Sequence, residues 1–568
     1  MPNSSKGRNF QKEEAEILAR KMLAAEPDNP DVLNGLGLIL MAQGQFGEAS
    51  HHFRLALEKF SDNLEYRENF MRALVASARQ SVKAGEYADA IQALRLAVEE
   101  SPERLDVHCH LSFVLSQSGL HDEGLKIAEK ALKIDDGHPH PHDVKGLALL
   151  GIERMQDSIV SFRKALEIDP VFLSAHNNLG NALLKLKDHE GAIEHFRCVV
   201  KNDPENAQAF NNLGLVLADQ AHFIKAEEKL RRAIAISPEF AEAHFNLSRV
   251  LLMQGNYQEG WQENEWRWKC QNFPSTWRDF PYARWRGEPV RDKTVLVWSE
   301  QGIGDEIMFA STIPDLLADG AKLILECGER LVPLFDRSFN GAVVVSRKNP
   351  PNKLILQAQV DYQLPMASLC NYYRNSREAF HKASGSYLYS DPNRKVKLKN
   401  RYLRPEKKPL IGICWRSGNP IAGEERSAPL EHWDKILLQP NCIFVSLQYG
   451  EVKADLEAVK KRTGVEVYHD EKIDPLTDAE DWFAQVAAMD LVISVDNSTI
   501  QVSGSQDIPT WVLLSALPEW RFGINGNGHD WHSSARVYRQ TNESDWKPVF
   551  NYLVRDLGNW LANTEFNL

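Results

Sequence analysis

Four stretches in the second half of the 568-residue chain hold residue types that could do chemistry at their spacing. SEQGIGDEIMF, residues 299–309, places Gly302, Gly304 and Asp305 just after an apolar run. Two glycines there let a backbone turn tightly and approach a ligand, and only G-x-G is present, short of a dinucleotide fingerprint. Asp305 opens the next helix, where an aspartate is either an N-cap or, facing a cleft, a general base. Glu300 and Glu306 compete for the base role. ICWRSGNPIAGEERSAPLEHW, residues 413–433, carries Arg416 and Arg426 in a glycine-bearing loop. A guanidinium fork matches phosphate oxygens, with a solvated loop arginine as the plain alternative. In LVISVDNSTIQVSG, residues 491–504, Asp496 ends a strand and Asn497, Ser498 and Thr499 open a small-residue helix. Free amides and hydroxyls at a helix start can seat a diphosphate. PEWRF (518–522) and HDWHS (529–533) follow in a long loop.

Alternating strands and helices must position these stretches. Thr294–Ser299, Lys322–Glu326, Ala342–Ser346 and Val360–Leu364 are short apolar runs. The pattern restarts with Pro409–Trp415, Cys442–Gln448, Leu491–Val495 and Thr510–Leu514. Such alternation predicts parallel sheets covered on both faces, here two Rossmann-like lobes split by a basic stretch near 390–408. Ligands of such sheets bind at the carboxyl ends of the strands, where every motif above lies.

The first half is a repeat. Pro102, Pro170, Pro204 and Pro238 share one 34-residue grid, with Asp136 in the remaining slot. Ser112, Gly146, Gly180, Gly214 and Ser248 keep the same step, as small residues do where antiparallel helices approach closely. The spacing predicts about seven helix pairs, an orphan helix before them and a lengthened first helix in the second repeat, near 64–101. The grid stops at Tyr257, and Trp261, Trp266, Trp268, Trp277 and Trp285 then crowd a stretch to Arg291. A flexible linker is poor in aromatics, so this is read as an ordered strap with its tryptophans in an interface core.

The net charge of -12 argues against nucleic acid as the main ligand. No run approaches the ~18 apolar residues of a membrane span, and the N-terminus lacks an apolar signal core. Seven scattered cysteines read as free thiols of a reducing compartment, so a cytoplasmic protein is expected. His138, His140 and His142 alternate on a proline-rich turn, which does not converge ligands on a helix face, so no metal site is expected.

Asn178, Asn212 and Asn246 occupy one column, each two residues before the small residue of its repeat; Val144 and His110 hold that slot earlier. The repeats resemble the tetratricopeptide family over residues 31–268. The column is similar to the asparagine ladder with which O-linked N-acetylglucosamine transferases clamp an acceptor peptide; the alternative is an idle feature of the repeat consensus.

WSEQGIGDE, RSAPLEHW, SLQYG, SVDNSTIQVSG and EWRF, in that order, resemble the motifs of heptosyltransferase-like glycosyltransferases of family nine, in the branch fused to tetratricopeptide repeats. The resemblance covers residue 257 to the C-terminus. It implies an α superhelix followed by an α/β GT-B fold: repeats at 1–256, a Trp-rich connector at 257–291, an acceptor-side lobe at 292–395 and a nucleotide-sugar lobe at 396–568. It also implies sugar transfer from a nucleotide-sugar co-substrate, without metal or other cofactor and with inversion. Asp305 would be the base. Gly302, Gly304, Arg416, Arg426, Gln448, Asp496, Asn497, Ser498, Thr499 and Gln501 would line the donor site, and Asn178, Asn212 and Asn246 the acceptor site. Gln501 stands where the family has histidine, Asn497 where it has threonine, and Glu519 to Phe522 replace D-W-R-W. The acceptor expected is Ser or Thr of a protein, by family analogy a flagellar or surface protein before export. A lipid or glycan acceptor, and a scaffold with a decayed transferase half, are the alternatives.

Overall fold

In the first half, glycine and phenylalanine positions dictate how helices pair. A Cβ on Gly37 would lie 2.6 Å from the Phe53 ring and one on Gly180 2.7 Å from Phe196; one on Gly146 would strike Phe162. Each of these fully buried phenylalanines lies 16 residues on, in the second helix of the same pair. Where the slot holds Ser112, residue 128 is an alanine. Helix ends follow from sequence as well: Asn29 and Asn63 accept amide hydrogens at N-caps, and Gly44, Gly85 and Gly255 take left-handed φ at C-caps.

The computed structural model describes residues 3–383, 385–403, 408–419, 423–516, 519–524, 526–541 and 545–563. Pro518 of the PEWRF stretch and 420–422 of the arginine loop lie outside them. The chain forms two compact units, Met1–Val216 and Leu217–Leu568. Among the described residues, an initial helix Asn3–Ala25 precedes seven helix pairs, the first Pro30–Gln43 with Phe46–Lys59 and the last Ala241–Gln254 with Tyr257–Asn264. The first helix of the second pair, Leu64–Ala84, has 21 residues against 13 or 14 in the others. HPHPH forms the start of helix Pro139–Gly151: the His138 ring accepts the amide of His140, and the His142 ring bonds the Asp136 carbonyl at 2.9 Å.

The second unit carries two five-stranded sheets in which every pairing is parallel. The first comprises β1 (Ala283–Arg284), β2 (Thr294–Trp298), β3 (Lys322–Cys327), β4 (Val343–Ser346) and β5 (Tyr362–Pro365), in the order β1-β5-β2-β3-β4. The second comprises β6 (Leu410–Cys414), β7 (Ile443–Ser446), β8 (Leu491–Val495), β9 (Thr510–Leu514) and β10 (Ala535–Arg539), in the order β10-β9-β8-β6-β7. Strand order reverses between β2 and β5 in one sheet and between β6 and β8 in the other. At such switch points the following loops diverge and leave a crevice. The eight runs read from the sequence are strands, β4 and β7 at sheet edges among them; β1 and β10, at the opposite edges, are strands that the sequence reading did not identify.

The tryptophan-rich stretch is ordered. Trp261, 1% exposed, donates Nε1–H to the Arg374 carbonyl at 2.8 Å and meets Phe309, Trp520 and Trp531 edge-on. Trp266 stacks on His244 of helix Ala241–Gln254 at 3.9 Å, and Trp268 and Trp277 flank Trp298 of β2. Arg267 is fully buried and donates Nε and Nη2 to the two Glu300 oxygens, each at 2.8 Å. Glu300 also accepts the Ala367 amide at 3.1 Å. The end of β2 is thus clamped by the strap and by the loop after β5.

Candidate functional site

The loop after β2 begins with Gln301 at φ 62, a left-handed backbone that costs a non-glycine residue energy and is retained where surroundings over-determine it. Its amide donates to Ser275 Oγ at 2.6 Å. The expectation that glycines make this turn is corrected: Gly302 has φ -93, and Gly304 lies inside helix Ile303–Phe309. A Cβ on Gly304 would sit 3.4 Å from Ser498 of helix Ser498–Ser505 in the other lobe, an ordinary contact, so the two lobes lie within one small side chain of each other here.

Asp305 is the third residue of helix Ile303–Phe309 and not its N-cap, which is Gly302; from there its carboxylate accepts the Gly302 amide at 3.3 Å. It also reaches across the lobes: Arg521 Nη2 donates to its Oδ1 at 3.0 Å. From there charges alternate. Arg426 pairs with Glu519, and its Nε lies 3.6 Å from Asp496 Oδ2 at the carboxyl end of β8. Burial pushes the Asp496 carboxyl up, with Arg521 and Arg426 opposing. Burial acts the same way on Glu519, but Arg521, Arg249 and Arg426 outweigh it and hold that carboxyl below its ordinary value. Arg249 belongs to helix Ala241–Gln254, so the last repeat contributes charge to the site. Among the described residues Asp496 Oδ2, apart from its ion pair with Arg426, and Arg521 Nε are buried without a hydrogen-bond partner. Buried polar atoms of this kind call for an explanation.

The structure therefore brings Asp305, Arg426 and Asp496 together, with Gly304, Ser498 and Gln501 where the lobes meet. It commits other residues elsewhere. Arg416 donates to the Glu451 carbonyl at 2.6 Å and pairs with Asp455 at 3.2 Å. Gln448 accepts the amides of Trp415 and Arg416 at 3.0 and 2.8 Å, pinning the loop after β6. Asn497 accepts the Thr499 amide and donates to Cys414 Sγ and the Arg416 carbonyl, tying β8 to β6. The Thr499 hydroxyl faces Cys414 Sγ at 3.9 Å. Gln501 Oε1 meets His532 Nε2 at 2.8 Å, and burial lowers that imidazole to about 3, so a neutral ring donates. Glu300 is taken by Arg267, and buried Glu306 accepts the Gly328 amide at 2.8 Å. Arg521, Glu519 and Arg249 were not singled out as site residues in the sequence. EWRF marked the first two, but nothing local marked Arg249.

In the first unit the asparagine column bonds between repeats. Asn178 donates to Asp143 at 2.9 Å; Asn212 donates to Asn177 and Asn181 at 3.2 and 3.0 Å and accepts from Gln208 and Asn211. Asn69 donates to Asn34 at 3.0 Å. All three pairs, 178–143, 212–177 and 69–34, span 35 residues. Asn246 lies on helix Ala241–Gln254 of the second unit. Asp143 is 2% exposed, and burial pushes its carboxyl up to about 6, against hydrogen bonds from Ser174 and Asn178. Its native pKa exceeds the unfolded value of about 3.9. Stability attached to it is therefore greatest below that value and falls as pH rises through about 4 to 6. Asp143→Asn should stabilise the protein at pH 8 by roughly 2 kcal/mol and flatten its stability between pH 4 and 6. Denaturant titration across pH measures this; an unchanged profile rejects the assignment.

Tetratricopeptide-repeat profiles match residues 36–104, 81–148, 174–206 and 211–260, so the N-terminal region carries tetratricopeptide repeats. Protein FlbA of Caulobacter vibrioides is 30% identical over 322 residues, covering 54% of this chain and 54% of that protein. The chain thus spans about half the length of this curated relative. Similar solved structures include a tetratricopeptide repeat protein from Parabacteroides merdae (TM-score 0.34, 15% identity, 43% of this chain and 94% of that one). A thermophilic repeat protein of Thermus thermophilus gives a TM-score of 0.31 at 13% identity, over 32% of this chain and 99% of that one. YrrB, a repeat protein with an unusual peptide-binding site, gives 0.24 at 23% identity, over 34% and 95%.

Proposed function

We propose that the chain is a GT-B glycosyltransferase that moves a sugar from a nucleotide-sugar donor to a Ser or Thr hydroxyl of a protein engaged by the repeats. The observation that carries the reading is the meeting of Asp305, from the β2 switch point, with Arg521, Arg426 and Asp496, from the β8 side. A carboxylate on one lobe faces cations on the other, the arrangement that a displacement between acceptor hydroxyl and donor phosphate requires. Asp305 takes the hydroxyl proton as the acceptor oxygen bonds the anomeric carbon. The bond from that carbon to phosphate oxygen breaks, and the nucleotide leaves with the electron pair. Arg426 stabilises the leaving charge, a preorganised electrostatic contribution; the Thr499 and Ile500 amides of the facing helix are already held by Asn497. Arg521 donates to Asp305, and its buried Nε has no hydrogen-bond partner among the described residues. Tetratricopeptide repeats suit a protein acceptor, because tethering raises effective concentration. Among the described residues no helix is long and apolar enough to cross a membrane.

One observation favours a non-catalytic scaffold: both cluster arginines already pair with carboxylates. Calorimetric titration with UDP, GDP, ADP and CDP separates the readings. One nucleotide should bind, and Arg426→Ala should weaken it by about 1.5–3 kcal/mol, a charged hydrogen bond lost. Arg426→Lys should recover only part, since a point charge does not replace a fork. No binding by any of the four would favour the scaffold.

A further inference from the structure

A cleft of ≈ 610 Å³ lies within the second unit, lined by residues other than those of the charged cluster. It is lined by Met253 and Gln254 at the end of helix Ala241–Gln254, by Arg377 and Phe380, and by residues of 522–524 and 526–533, His529 and Trp531 among them. That volume falls in the range of about 300–1,000 Å³ typical of small-molecule sites.

Its chemistry is specific. His529 is only 7% exposed, yet neither ring nitrogen has a hydrogen-bond partner among the described residues. The ring is fixed by packing, edge-on to Phe522 at 4.8 Å and stacked on His532 at 5.2 Å. A buried imidazole with two unanswered nitrogens is costly unless a ligand answers them. The surrounding charge favours an anion. Arg539, behind the loop, donates to the carbonyls of Phe522 and Gly526, and burial pushes its guanidinium below the ordinary value. Arg377 stands exposed at the rim; its carboxylate neighbour Asp530, at 3.4 Å, also accepts the Tyr257 hydroxyl. The aromatic rings of Phe380 and Trp531 add an apolar wall.

We propose that this cleft is a second ligand site, taking a small polar organic molecule that carries a carboxylate or a phosphate, with His529 and Arg377 contacting the anionic group and the aromatic wall its body. A sugar acid and a sugar phosphate share this chemistry. The site is independent of the transferase reading, because it uses no residue of the charged cluster.

The test is calorimetric titration of the full chain, without donor or acceptor, using glucuronate, glucose 6-phosphate, glucose and inorganic phosphate. At least one of the first two should bind at least tenfold more tightly than glucose and inorganic phosphate; which one binds identifies the source of the anion. His529→Gln should weaken that binding about tenfold or more. His529 is buried, so a second variant guards against misfolding: Gly528→Phe fills the cleft from a position whose Cβ meets nothing within 4 Å. It should abolish binding while the thermal transition stays put. Asp305→Asn should leave it unchanged. Failure of both acidic ligands, equal binding of glucose or of phosphate alone, or undiminished binding in Gly528→Phe would overturn the proposal without touching the transferase reading.

Discussion

Asp305→Asn should transfer sugar at least about a hundredfold more slowly than the native protein, the usual loss when a positioned general base is removed. Nucleotide binding should be unchanged or tighter. Asparagine keeps the size of the side chain and one oxygen, which can still accept the Gly302 amide; the bond from Arg521, made to the other carboxylate oxygen, is lost. What disappears is a negative charge beside the cations expected to meet the donor phosphates, and removing it favours an anion. Transfer should therefore fall while affinity does not, a split that a purely structural role would not produce. Initial rates at saturating donor, together with calorimetry, measure it. Transfer within a few-fold of native would make Asp305 a structural residue only. The base would then lie outside this loop, because Glu300 is bound by Arg267 and the Ala367 amide and Glu306 by the Gly328 amide.

The second large effect should come from the strap. Arg267→Met leaves Glu300 buried beside its partner's empty place, and breaking a fully buried pair in this way costs about 3–5 kcal/mol. Adding Glu300→Gln should return most of that loss, since a neutral amide no longer needs the guanidinium. Calorimetric melting of the two variants compares them, with the transition of the second unit as readout. A single variant that melts like the native protein would show the pair to be dispensable. Glu300 immediately precedes left-handed Gln301, and Asp305 follows four residues later. Loss of the clamp should therefore lower the maximal transfer rate before it changes nucleotide affinity.

The central strands were legible because a strand buried on both faces is a short, mainly apolar run: all five positions of β6, β8 and β9 are buried. The edge strands β1 and β10 carry no such run. β10 reads ARVYR with an exposed second residue, and β1 has only two residues, Ala283 and Arg284. The repeat period was visible, but not the partners of its asparagines. Their hydrogen bonds run from one slot to the preceding slot of the repeat before, a step of 35 where the grid has 34. Arg521 stood within a motif, yet its partner Asp305 is 216 residues away, and no local pattern encodes a pairing between lobes. The charge runs around Arg416 and Arg426 looked alike in sequence. Tertiary packing turned the first toward Asp455 and the second toward Asp496.

The facing of Gly37, Gly146 and Gly180 by Phe53, Phe162 and Phe196 bears on how such an array can change by recombination. A crossover that joined the first helix of the Ser112 repeat to a second helix carrying phenylalanine would leave the ring no room, whereas one in the turn between repeats moves hole and knob together. Exchange with that repeat is thus confined to whole helix pairs, and the module is set by a contact spanning 16 residues, not by the boundaries of any single helix.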